Sequence, residues 1–139
     1  MFKKIMVPVD LEHLEKMERT RQLAVELARQ YGAAVCYATV AGRVPNRAAS
    51  SPEVLAEKLD SFASEEGQRH GIQTEAIVKP STDVIIELDR KLLEACSECG
   101  ADLVVMASHI PGVADRLHLI SSNAADFVRK SKVSVLVVR

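Results

Sequence analysis

The chain has 139 residues, 47% of them hydrophobic and 27% charged, with 18 Lys and Arg against 19 Asp and Glu for a formal net charge of −1. This is the size and balance of one globular domain, without the basic surface that nucleic acid requires, and 4% aromatic content with no Trp argues against a stacking platform for single strands. No apolar run approaches the ~20 residues of a membrane span, no leader-type segment opens the chain, and three cysteines make no disulfide framework; cytoplasmic residence with no membrane or nucleic-acid partner is expected.

Strand-type and helix-type patterns alternate along the chain. The apolar run 5–9 predicts a first strand, and 14–30 a first helix, with Met17, Thr20, Ala24, Leu27 and Tyr31 spaced by threes and fours and Gly32 to end it. A second strand follows at 33–40. The stretch AGRVPNRAASS at 41–51 reads as a surface loop. Ser51-Pro52-Glu53 opens a second helix with an apolar stripe at Leu55, Leu59 and Phe62. Residues 72–78 alternate with Gln73 and Glu75 and so suit an edge strand. Ser81 or Thr82 is placed to cap a third helix bearing Val84, Ile85, Leu88, Leu92, Ala95 and Cys99, closed by Gly100. A strand at 103–106, a helix at 122–130 and a strand at 135–138 complete the series. The alternation predicts a single α/β domain over 1–139 with a mostly parallel sheet, four helices and five strands.

The last 37 residues carry the chemistry. A strand opens into a polar loop with Gly and Pro, which feeds Ser121, Ser122 and Asn123 at a helix start, where free backbone N–H groups and hydroxyls suit a phosphate. The plainer reading of the same residues is an N-cap. Ser108 and His109 add polar groups to the loop, and Arg116 a positive charge.

This segment resembles the C-terminal signature of the universal stress protein family, in which a strand ending in Met precedes G-x2-G-x9-G-S/T and the chain closes on a VLVV-type strand. Met106 and Val135-Leu136-Val137-Val138 match it, while Ala107, Ile110 and, with one extra residue in the loop between, Ser121 stand on the three glycines. Ala107 and Ser121 are small substitutes. Ile110 is the larger departure, because a β-branched residue is disfavoured at positive φ and fills space beside a ligand; Gly112 offers a turn two residues later. The resemblance covers essentially the whole chain and implies a doubly wound five-stranded sheet of order 3-2-1-4-5, with a crevice above Val9 and Met106 where strands one and four meet.

The family likeness also implies a site. Pro8-Val9-Asp10 matches the family's P-V-D at the adenine end, and Val40 a position whose backbone contacts the base; Leu11 follows Asp10 where Gly or Ser is common. The phosphate side would be Met106, Ala107, Ser108, Ile110, Ser121, Ser122 and Asn123. ATP or AMP with magnesium is the implied ligand. Without the likeness, Asp10 reads as a turn cap and Val40 as core. The family topology places the apolar final strand at a sheet edge, and Val135, Leu136, Val137 and Val138 are therefore expected to form an antiparallel homodimer contact.

No catalytic residue is assigned: there is no G-x-S-x-G elbow, no P-loop and no H-E-x-x-H. His13, His70, His109 and His118 lack ligand spacing, so no metal site is expected. Cys96 and Cys99 lie at the C-terminal end of a helix, where the dipole disfavours thiolate, and together with Cys36 they read as small buried hydrophobes. The leading expectation is a nucleotide-binding stress-response module with at most slow, incidental ATP hydrolysis. The competing reading is a member that has lost the ligand and acts through protein contacts with an unknown partner.

Overall fold

The computed structural model describes residues 1–43, 50–108 and 124–139. Five strands, β1 (Lys4–Pro8), β2 (Ala34–Ala41), β3 (Thr74–Pro80), β4 (Leu103–Ala107) and β5 (Ser134–Val138), form one parallel sheet in the order β3-β2-β1-β4-β5. This is the doubly wound order expected. Four helices lie among the described residues: α1 (Glu18–Tyr31), α2 (Pro52–His70), α3 (Val84–Cys99) and α4 (Ala124–Lys130).

The period-two alternation of each strand divides the core into two layers. Ile5, Val7 and Val9 of the first strand and its exit, with Val35, Tyr37, Leu103, Val105 and Ala107, pack against Ala24 and Ala28 of α1 and Leu59 and Ala63 of α2. Met6, Ala38, Val104 and Met106 face the other way, onto Leu88, Leu92, Ala95 and Cys96 of α3 and Ala124 and Phe127 of α4. A sheet covered on both faces needs strands that are apolar at successive positions, as β1 and β4 are. Phe127, fully buried, ties the short α4 to the sheet.

Local chemistry moves several boundaries. The first helix does not start at residue 14: Asp10 caps a 3-10 turn (Leu11–Met17) by accepting from the Glu12 N–H at 2.9 Å, and the backbone leaves helical angles at His13 (φ −137°, ψ 38°) before α1 begins. The cap of α3 is Asp83 rather than Ser81 or Thr82, since its carboxylate accepts from the Ile86 N–H at 3.3 Å. Ser81 and Thr82 instead donate their hydroxyls to Glu87, at 2.7 and 3.1 Å. Ser51 caps α2, with Pro52 in its first turn, as the sequence predicts. Gly100 ends α3 in the left-handed region (φ 71°), which glycine adopts without a Cβ clash. The last helix is described from Ala124, so residues 122 and 123 of its expected start, and 44–49 of the expected loop, lie outside the described residues. No helix among the described residues is long and apolar enough to cross a membrane.

Candidate functional site

The site is built where the sheet changes direction of winding. β1 pairs β2 over five residues, from Lys4↔Ala34 to Pro8↔Ala38, but it pairs β4 only at Ile5↔Leu103 and Met6↔Val104. Beyond that pair the C-terminal ends of β1 and β4 leave their common ladder at the switch point, the place where doubly wound sheets hold their ligands. Asp10 stands just past β1, Val40 near the end of β2, and Ser108 just past β4. Topology thus brings Pro8, Val9, Asp10, Val40, Met106, Ala107 and Ser108 to the same end of the sheet. Ile110, Ser121, Ser122 and Asn123, together with His109, Gly112 and Arg116, lie outside the described residues.

Backbone groups at this end are largely committed to the sheet. The Val9 N–H donates to the Ala38 carbonyl at 2.8 Å and the Ser108 N–H to the Val138 carbonyl at 2.8 Å. Ser108 therefore has its hydroxyl, and not its amide, to offer a ligand. Ala107 pairs with Val138 as an ordinary strand residue, and its side chain joins the core layer under α1; no described non-glycine residue has positive φ. The family's first glycine position needs no left-handed conformation in this chain.

Asp10 is the polar group at the β1 exit. One carboxylate oxygen accepts from Glu12, while Oδ2 stands 3.8 Å from His13 Nδ1, with both side chains mostly buried. Burial pushes the Asp10 carboxyl up from its ordinary value, partly offset by the Glu12 N–H and by His13. Ligand atoms of Asp10, Glu12 and His13 lie within 4.8 Å of one another. The sequence reading singled out Asp10 and missed its two companions; the signal available was their position in the turn that Asp10 caps. Leu11 does not stand alone over the crevice, because it packs onto Ala41 and Leu55.

Cys96 is buried, as expected of a small hydrophobe, and so is Cys36. Cys99 departs from that expectation. It is only partly buried, and its sulfur lies within 4.8 Å of both the Cys36 sulfur and a Glu75 carboxylate oxygen. Cys96 and Cys99 are not a working pair: the Cys96 thiol points at the Ala101 carbonyl (4.0 Å), inside the layer beneath α3.

Comparison with known proteins matches this architecture over its full length. The model of the universal stress protein family matches residues 1–139. A universal stress protein from Archaeoglobus fulgidus superposes with a TM-score of 0.70 at 19% identity, covering 100% of this chain and 95% of that one. A universal stress protein in complex with cAMP gives 0.67 at 21% identity (99% and 97%), and one from Archaeoglobus fulgidus in complex with dAMP gives 0.65 at 22% (99% and 98%). At these identities the likeness speaks for the fold, and the family match speaks for kinship: the chain belongs to the universal stress protein family.

Proposed function

We propose that this chain is a cytoplasmic, homodimeric small-molecule-binding module whose ligand is an adenine nucleotide, ATP or AMP, with magnesium accompanying the phosphates. The observation that carries the reading is Asp10, a carboxylate kept mostly buried at the β1 exit beside the β1/β4 switch point, where burial works against its charge. A carboxylate whose charge burial disfavours at a switch point is a functional-site candidate, in addition to its work as cap of the 3-10 turn. Pro8, Val9, Asp10 and Val40 would receive the base and ribose. Met106, Ala107 and the Ser108 hydroxyl, with Ile110, Ser121, Ser122 and Asn123 from the following loop, would receive the phosphates. Two proteins of similar fold, crystallised with cAMP and with dAMP, support the ligand class. No residue is assigned a catalytic role, and any hydrolysis of ATP would be slow and incidental.

Mass spectrometry of the denatured, freshly purified protein tests for a carried nucleotide, and a thermal-shift series tests added ATP and AMP. Ligand at a hundredfold excess over Kd adds about 2.7 kcal/mol of stability, a rise of several degrees in Tm that Asp10→Ala cuts by about half or more. The competing reading, a member acting through protein contacts alone, is favoured by Ile110 standing on the second family glycine. It predicts no shift with either nucleotide and no carried ligand.

A further inference from the structure

At the opposite end of the sheet from the crevice, four side chains with complementary chemistry converge. Cys36 of β2 and Glu75 of β3 are direct register partners, so their side chains emerge side by side on the face covered by α3. Cys99, the last residue of α3, descends onto them, and the three ligand atoms lie within 4.8 Å of one another. Lys4, the first residue of β1, holds both Glu75 oxygens at 3.1 Å. None of these residues takes part in the proposed nucleotide site.

We propose that Cys36, Cys99 and Glu75 form a binding site for a thiophilic divalent cation of the zinc type, with a solvent water as fourth ligand. The ligand set is the first argument. Two sulfurs and a carboxylate suit zinc, whose thiolate bonds of about 2.3 Å bring tetrahedral ligand atoms to roughly 3.5–3.9 Å from one another, a spacing that small rotamer adjustments reach from the present arrangement. A disulfide between the same cysteines would need about 2.05 Å between the sulfurs and would leave the third ligand unused.

Electrostatics is the second argument. Binding releases the two thiol protons to solvent, and the resulting thiolates with the Glu75 carboxylate and the Lys4 ammonium carry two net negative charges, which one divalent cation cancels. The site also sits at the carbonyl end of α3, where the helix dipole favours positive charge.

Access is the third. Cys36 is fully buried, but Glu75 is exposed on β3, an edge strand, so an ion enters past Glu75 and Lys4 without disturbing the core. The histidine spacing that suggested no metal site misses this arrangement because its ligands come from two strands and a helix, 24 to 63 residues apart in the sequence.

The test is titration of Co2+, a coloured stand-in for zinc, into the full chain after reduction and chelator treatment under anaerobic conditions. One equivalent is expected to bind with thiolate-to-cobalt charge-transfer bands and the intense visible bands of a four-coordinate ion, and one equivalent of Zn2+ is expected to bleach them. Cys99→Ser weakens cobalt binding by about tenfold or more and leaves at most about half the charge-transfer intensity, from Cys36, while circular dichroism shows the fold retained. Glu75→Gln weakens the affinity by roughly tenfold or more. Cys96→Ser and Asp10→Ala leave the spectrum unchanged, which separates this site from the Asp10 corner. Absence of thiolate bands, or bands of unchanged intensity and affinity in Cys99→Ser, would overturn the assignment.

Discussion

The Arg21 guanidinium meets the Glu66 carboxylate at 2.5 Å across the α1–α2 interface, with Glu66 only 2% exposed. Glu66 occupies the apolar stripe of α2, in line with Leu55, Leu59 and Ala63, so the helix buries an acid where its pattern calls for a hydrophobe. Arg21 is fixed from three sides: it pairs with Glu66, donates to the Leu14 carbonyl at 3.2 Å and lies 5.5 Å over the Phe62 ring. Removing Glu66 strands the largely buried Arg21, whereas removing Arg21 leaves Glu66 only His70 at 3.0 Å and the exposed Arg69 at 3.9 Å. Arg21→Ala or Glu66→Ala is expected to cost about 3–5 kcal/mol in urea unfolding, whereas a paired Arg21→Met, Glu66→Leu replacement should cost far less. Equal losses in the single and double variants would show that the pair is not what stabilises this interface.

Glu87 reaches back over the start of α3 and accepts from the Ser81 hydroxyl, the Asp83 N–H and the Thr82 hydroxyl and N–H, contacts that hold its carboxyl down to about 2 from an ordinary 4.5. The folded chain thus keeps Glu87 ionised where the unfolded chain would protonate it. Its contribution is complete above pH 4.5 and is lost as the pH falls toward 2. Protection from hydrogen exchange at the first turn of α3, taken relative to the unfolded chain at the same pH, is expected to fall through that window in the wild type. Glu87→Gln should be less protected at neutral pH, with a protection that does not change through the window.

Asp10 titrates in the opposite sense. Because burial raises its carboxyl above the ordinary 3.8, the folded state binds the proton more tightly than the unfolded state does. The resulting penalty is absent below pH 3.8, sets in as the pH rises through the folded value and is fully present at neutral pH. Asp10→Asn keeps an acceptor for the Glu12 N–H while removing the buried charge. It is expected to stabilise the protein at pH 7, to lose that advantage at pH 3, and to bind nucleotide less well. A variant that is less stable at pH 7 would mean that the ionised group is an asset to the fold itself.

The exposed flank of β5 carries the dimer proposal. β5 is the outer strand beside β4, and Leu136 is 38% exposed on it, an apolar side chain on an edge whose backbone can pair with a second copy. Light scattering at micromolar concentration is expected to give twice the mass of the 15.2 kDa chain. Leu136→Asp should yield a monomer with the same circular dichroism. A wild-type monomer would remove the proposal.

The strands were legible because both-face burial writes continuous apolar runs, and 5–9, 33–40 and 103–106 fall within one residue of β1, β2 and β4. The edge position of β3 was legible from its alternating Gln73 and Glu75. The strand order came from the family likeness, since periodicity does not say which strand pairs with which. The missed features depend on groups that meet only after folding. Glu87 competes for Ser81 and Thr82 and leaves the cap to Asp83, the break at His13 delays α1, and the neighbours of Cys99 lie on strands far away in sequence. Within the site, Asp10 could be read from P-V-D. Its burial could not, and Glu12 and His13 were signalled only by their place in the turn that Asp10 caps.

The central claim is that the Asp10 crevice holds an adenine nucleotide, and isothermal titration of ATP and AMP, with magnesium, into ligand-free protein tests it most directly. The account predicts one site per chain with micromolar affinity, weakened about tenfold or more by Asp10→Ala or Ser122→Ala, as expected for loss of a charge-assisted or phosphate hydrogen bond of about 1.5–3 kcal/mol. Heats indistinguishable from dilution for both nucleotides, from protein shown by mass spectrometry to carry none, would contradict it and leave the chain acting through its surfaces.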